Sequence, residues 1–107
     1  MKILLLYPPL TLHRLDVSGA QRGLLMGLAY LAASLRQAGH TPLILNCRGD
    51  DESGTPIPPD FRRYGLPDQE IIRQIDAFSP DLIGIACMFT SYFIDAHRLA
   101  ALVKQWN

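Results

Sequence analysis

The sequence is poor in the residues that carry most recognisable chemistry. Cysteine occurs only at Cys47 and Cys87, and neither belongs to a CxxC pair. Two distant cysteines make no disulfide framework, and ordinary zinc-ligand spacing is missing. There is no net charge: 10 Lys and Arg balance 10 Asp and Glu. Without a global field to draw nucleic acid or an anionic membrane, neither partner is expected. No apolar run approaches the about 20 residues that a spanning helix needs. The opening MKILLLYPPL is too short in its apolar part for a secretory signal, so a cytoplasmic protein is expected. The phosphate-loop pattern GxxxxGK[ST], the dinucleotide pattern GxGxxG and the nucleophile elbow GxSxG are all absent. A phosphoacceptor receiver would need acidic residues after the first strand, where Tyr7, Pro8 and Pro9 stand.

What is present is an alternation of two periodicities within 107 residues, enough for one domain. KILLLY (2–7), TPLILNC (41–47) and DLIGIAC (81–87) are continuously apolar, as central parallel strands covered on both faces are. GLLMGLAYLAASLRQAG (23–39), PDQEIIRQIDAF (67–78) and SYFIDAHRLAALVKQW (91–106) read as helices. The first carries Leu24, Leu28, Leu31 and Leu35 as its stripe and Gly39 as its left-handed cap. The second opens on Pro67, with Asp68 and Glu70 in its first turn and Ile71, Ile72, Ile75 and Phe78 on its apolar face. The third starts at Thr90 or Ser91, with Phe93, Ala96, Ala100 and Val103 on one face. The order β-α-β-α-β-α with right-handed crossovers predicts a parallel sheet of order 2-1-3. This is a flavodoxin-like (Rossmann-like) α/β half domain, with no strands 4 and 5. Its third strand would be an apolar edge, so a fragment of a larger chain is expected, with homo-oligomer pairing through that edge.

The connections are unequal. Helix-to-strand links are tight, whereas the strand-to-helix segments 8–22 and 49–66 are long and read as loops. Long loops in compact domains are uncommon unless functional or disordered. Both leave the carboxyl edge of the sheet, where open α/β sheets bind ligands at the switch point. Cys87 as a nucleophile lacks a nearby base, since His97 lies turns away along the last helix. Cys47 and Cys87 end strands on either side of strand 1, roughly 10 Å apart, too far for a disulfide. No catalytic or metal-ligating residue is assigned. Arg48, Arg62 and Arg63 are read chiefly as solvated.

KILLLYPPL, GLAYLAASLRQAGH and PDLIGIACMFTS, in that order, together resemble the N-terminal cobalamin (vitamin B12)-binding domain of radical S-adenosylmethionine enzymes. The resemblance covers most of the chain except the two long segments. It implies cobalamin across the carboxyl edge. It also implies a missing C-terminal radical domain that holds S-adenosylmethionine and an iron–sulfur cluster on a CxxxCxxC motif not found here. Such enzymes move methyl groups or cyclise and rearrange carbon skeletons. Cobalamin proteins that ligate cobalt through histidine use DxHxxG after strand 1. Here Asp95, His97 and Ala100 echo that pattern wrongly, inside the last helix, and read as a solvated polar face. Cobalamin would then be held without a protein histidine. A corrin is a broad apolar disc with amide arms. Tyr7, Pro8, Pro9 and Leu10 offer one apolar shelf, and Cys87, Met88 and Phe89 a second. Thr90 and Ser91 add hydroxyls at a helix start. Two other readings stand beside this one: the N-terminal half of a two-domain glycosyltransferase, and a ligand-free interaction module.

Overall fold

The structure, a computed structural model, describes residues 1–13, 26–48, 54–87 and 93–106. Among the described residues nine elements follow in chain order: β1 (Lys2–Tyr7), β2 (Leu10–His13), α1 (Met26–Gln37), β3 (Thr41–Asn46), β4 (Thr55–Ile57), β5 (Phe61–Tyr64), α2 (Asp68–Phe78), β6 (Leu82–Ile85) and α3 (Phe93–Trp106). The three apolar runs become β1, β3 and β6. They form one parallel sheet in the order β3-β1-β6, the arrangement predicted. Leu6 stands in register with Leu45 on one side and Ile85 on the other.

β1 is central because both of its faces are apolar. Leu4 and Leu6 are sealed against Ile71 and Ile75 of α2 and Leu99 of α3. Ile3 and Leu5, on the opposite face, are also buried. Each such side chain contributes about 1.5–3 kcal/mol when fully removed from water. Gly84 faces Leu5, and a Cβ there would lie 3.1 Å from Leu5 Cδ2. A side chain here would crowd that Leu5 methyl by a few tenths of an ångström. At the amino edge, Asp81 accepts from the Lys2 N–H at 2.8 Å. α1 closes on Gly39, at φ +91°, with the His40 N–H donating to the Leu35 carbonyl.

Two helix stripes differ from the sequence pattern. In α3 the buried positions are Asp95, Ala96 and Leu99, while Phe93 is 59% exposed. The inward face thus includes Asp95, which bonds Thr11 of the second sheet, and keeps Ala96 and Val103 of the expected stripe. In α1, Leu28 and Leu35 are half-buried but Leu31 is exposed, and Leu24 lies outside the described residues.

The second sheet is the larger departure. Segments 8–22 and 49–66 read as loops, yet their described parts hold β2, β4 and β5, paired antiparallel in the order β2-β5-β4. Leu10 pairs with Tyr64, His13 with Phe61, and Thr55 with Arg63. β5 is FRRY, without apolar alternation, and β4 carries Pro56, which suits an edge strand. No helix among the described residues is long and apolar enough to cross a membrane.

Candidate functional site

The carboxyl edge of the parallel sheet is divided. Over β3 and β1 it is roofed by the segment that leads from the second sheet into α2. The Leu66 N–H donates to the Cys47 carbonyl at 2.6 Å. A Cβ on Gly65 would fall 2.6 Å from that same oxygen and 2.8 Å from Pro9 Cβ. With φ at +141°, Gly65 is the residue that lets the backbone lie flat on the edge. Over β6 the edge ends in Ala86, whose N–H donates to the Leu6 carbonyl, and then Cys87, which is exposed.

This division sorts the nine residues assigned from sequence. Tyr7 is half-buried. Pro8, Pro9 and Leu10 are buried, Leu10 to 3% exposure, with Leu10 starting β2. Cys87 is exposed, and Met88, Phe89, Thr90 and Ser91 lie outside the described residues. Cys87 is thus exposed after β6, Tyr7 is half-buried at the end of β1, and Pro8 to Leu10 are buried, with Pro9 against Gly65. The two cysteines diverge. Burial pushes the Cys47 thiol up to about 12, only partly offset by the charge of Arg98, so it stays protonated. Neither cysteine forms a disulfide. Among the described residues no group of His, Cys, Asp and Glu could hold a metal ion.

A polar cluster ties the roof to α3. Asp95, 2% exposed, accepts from the Thr11 N–H at 2.8 Å and from Thr11 Oγ1 at 2.6 Å. Arg63 Nε donates to Thr11 Oγ1 at 3.2 Å. Arg98 Nη1 donates to both carboxylate oxygens of Asp68, at 2.8 and 2.9 Å. Desolvation, then the neighbouring charge of Arg98, lower the Arg63 pKa, while Asp95 and Asp68 oppose them. The solvated reading fails for several of these residues. Asp95 is a buried anchor and Arg48 is 6% exposed. Arg63 is half-buried, and Arg62 Nη1 donates to the Gly54 carbonyl at 3.3 Å. His97 alone keeps to the expectation, exposed and stacked on Phe93. Sequence reasoning missed Thr11, Asp68 and Arg98. The available signal was Asp95, an acid set between the apolar residues Ile94 and Ala96 within the helix.

Between the second sheet and the start of α2 lies a cavity of about 560 Å³, lined by Arg63, Gly65, Leu66, Asp68 and Gln69 among others. A smaller one, about 310 Å³, lies beside β6, against Leu82, Ile83, Val103 and Trp106.

Residues 18–107 match the B12 binding domain. This chain belongs to the B12 binding domain family. It is also 36% identical over 104 residues to the cytidylyl-2-hydroxyethylphosphonate methyltransferase of Streptomyces wedmorensis, covering 94% of this chain and 19% of that protein. The chain thus spans about a fifth of the length of this relative. No solved structure matches it. The B12-binding domain fold is flavodoxin-like, as the sheet order indicates, and neither match is to a glycosyltransferase.

Proposed function

We propose that this chain is the cobalamin-holding module of a larger methyl-transferring radical S-adenosylmethionine enzyme, with the corrin over the open part of the carboxyl edge beside β6. The single observation that carries this reading is the match to the B12 binding domain over residues 18–107. The kinship to a methyltransferase five times as long supports a parent enzyme that moves methyl groups. Bound cobalamin would supply a carrier for the methyl group. S-adenosylmethionine and an iron–sulfur cluster would be held in a further domain, and this chain alone would catalyse nothing.

The residues of this chain fit the group on physical grounds. Cys87, exposed after β6, would give surface for the corrin at the switch point, with Tyr7, half-buried at the end of β1, bordering it. Met88 and Phe89 would extend that surface, with Thr90 and Ser91 meeting the amide arms. Pro8, Pro9 and Leu10 act as a stiff base beneath Tyr7; contact between them and the corrin would require the roof to lift. The sequence after β1 does not carry DxHxxG, so the histidine of that motif would not be the group that holds cobalamin here. Leu82, 52% exposed on β6, supports extension of the sheet by a following strand or a second copy. Light scattering distinguishes the two, and a monomer at high concentration removes the second copy.

The test is retention of hydroxocobalamin through gel filtration, read from the visible spectrum, for this chain and for its full reading frame. Retained corrin in the longer protein is expected. Phe89→Asp should lose it while circular dichroism stays unchanged. No bound corrin in the longer protein would end this reading.

A further inference from the structure

Among the described residues, Asp95 is the carboxylate most closed to solvent, at 2% exposure in the first turn of α3. A carboxylate so placed is costly unless its oxygens are engaged. Both are: Oδ2 accepts from the Thr11 N–H at 2.8 Å, and Oδ1 accepts from Thr11 Oγ1 at 2.6 Å. Thr11 is steadied in turn by Arg63, whose Nε donates to the same hydroxyl at 3.2 Å. The two bonds join residues 84 positions apart. They fix one segment of the chain against another.

What they join is the point. Thr11 comes directly after residues 8–10, where the chain leaves β1. Asp95 comes after β6 and Cys87, where the chain enters α3. β1 and β6 are neighbours in the sheet, and the crevice outside their carboxyl ends is the switch point at which open α/β sheets take ligands. The pair therefore ties the chain leaving β1 to the chain entering α3. A broad, rigid disc binds best to walls already held at the right spacing, because ordering them on binding subtracts from affinity. We propose that Asp95 is a positioning residue for the cobalamin edge: through Thr11 it holds the exit of β1 and the start of α3 at the spacing a corrin needs, without touching the cofactor. This rests on the cobalamin reading. A pin that served stability alone would let affinity follow stability, whichever part of the domain was weakened.

The test is the dissociation constant of hydroxocobalamin, from visible titration of the full reading frame, measured beside urea unfolding of the same protein. Asp95→Ala should weaken binding about tenfold, the scale of coupling between neighbouring networks and sites. Thr11→Val loses the hydroxyl bond and keeps the N–H bond, so it should weaken binding by a smaller factor. Thr11→Ser keeps both bonds and should bind as the parent sequence does. Ile75→Val supplies the comparison. It takes a methyl group from the sealed core at α2, lowers stability, and should leave corrin affinity unchanged. Unchanged affinity in Asp95→Ala, or a loss in Ile75→Val that tracks its loss of stability, would overturn the proposal. If Asp95→Ala does not fold, Thr11→Val against Thr11→Ser decides it: equal affinity in the two contradicts the proposal. A parent sequence that binds no corrin removes the cobalamin reading and this proposal together. Tight binding that survives Asp95→Ala removes this proposal alone.

Discussion

The two sheets of this domain are held by different forces. The parallel sheet rests on burial: Leu4, Leu6, Ile71, Ile75 and Leu99 are all closed to solvent around it. The antiparallel sheet rests on polar pins, above all the two hydrogen bonds from Thr11 to Asp95. Apolar burial is spread over many contacts and tolerates approximate geometry. A carboxylate pin is local and directional, and removing one partner leaves the other unsatisfied. The first sheet therefore defines the domain, and the second can be perturbed on its own.

The largest effect should follow from an attack on the first sheet. Leu4→Ala removes a fully buried side chain from the central strand and should cost about 2–5 kcal/mol in urea unfolding, with all probes shifting together. Asp95→Ala should cost somewhat less, about 1.5–3 kcal/mol, since it removes charge-assisted bonds and strands the Thr11 N–H. Its hydrogen-exchange signature separates the two sheets: amides of β2 and β5 should lose protection while those of β1 and β3 keep it. Equal loss in both would make the sheets one cooperative unit. Gly65→Ala should cost about 1–3 kcal/mol, because its backbone at φ +141° and the space beside Cys47 and Pro9 both resist a Cβ.

That contrast also explains what was legible from sequence. KILLLY, TPLILNC and DLIGIAC announce buried strands by composition alone, and their order with the three helices fixed the sheet order. β5 could not be seen the same way. FRRY has no apolar period, and its place depends on Thr11 and Asp95, which lie far from it in sequence. Asp95 itself was visible as an acid amid apolar neighbours, but helix periodicity cannot tell a solvated carboxylate from one buried against a second sheet. The switch point was readable as a place in the sheet, while the roof over Pro8 to Leu10 was not, because it depends on the path of residues 54–66.

The last effect is nil at neutral pH, appears only in the alkaline range, and reports on the roofed part of the edge. The Cys47 thiol titrates in the fold at about 12, against an ordinary 9.0. Its raised value means the stabilisation is full below pH 9.0 and is lost as pH rises toward about 12. Cys47→Ala should flatten the alkaline limb of stability in that window, measured by thermal unfolding. An unchanged slope would place its origin elsewhere.

The central claim is that a corrin sits over the open part of the edge and not over the roofed part. The two cysteines mark these parts, Cys87 exposed and Cys47 buried. The most direct measurement is maleimide labelling of each, followed by mass spectrometry, with and without hydroxocobalamin. The account predicts that Cys87 labels readily and is protected by the corrin, while Cys47 stays unlabelled in both states. Cys87 labelling at an unchanged rate with corrin bound, or Cys47 becoming the residue whose reactivity changes, would contradict it.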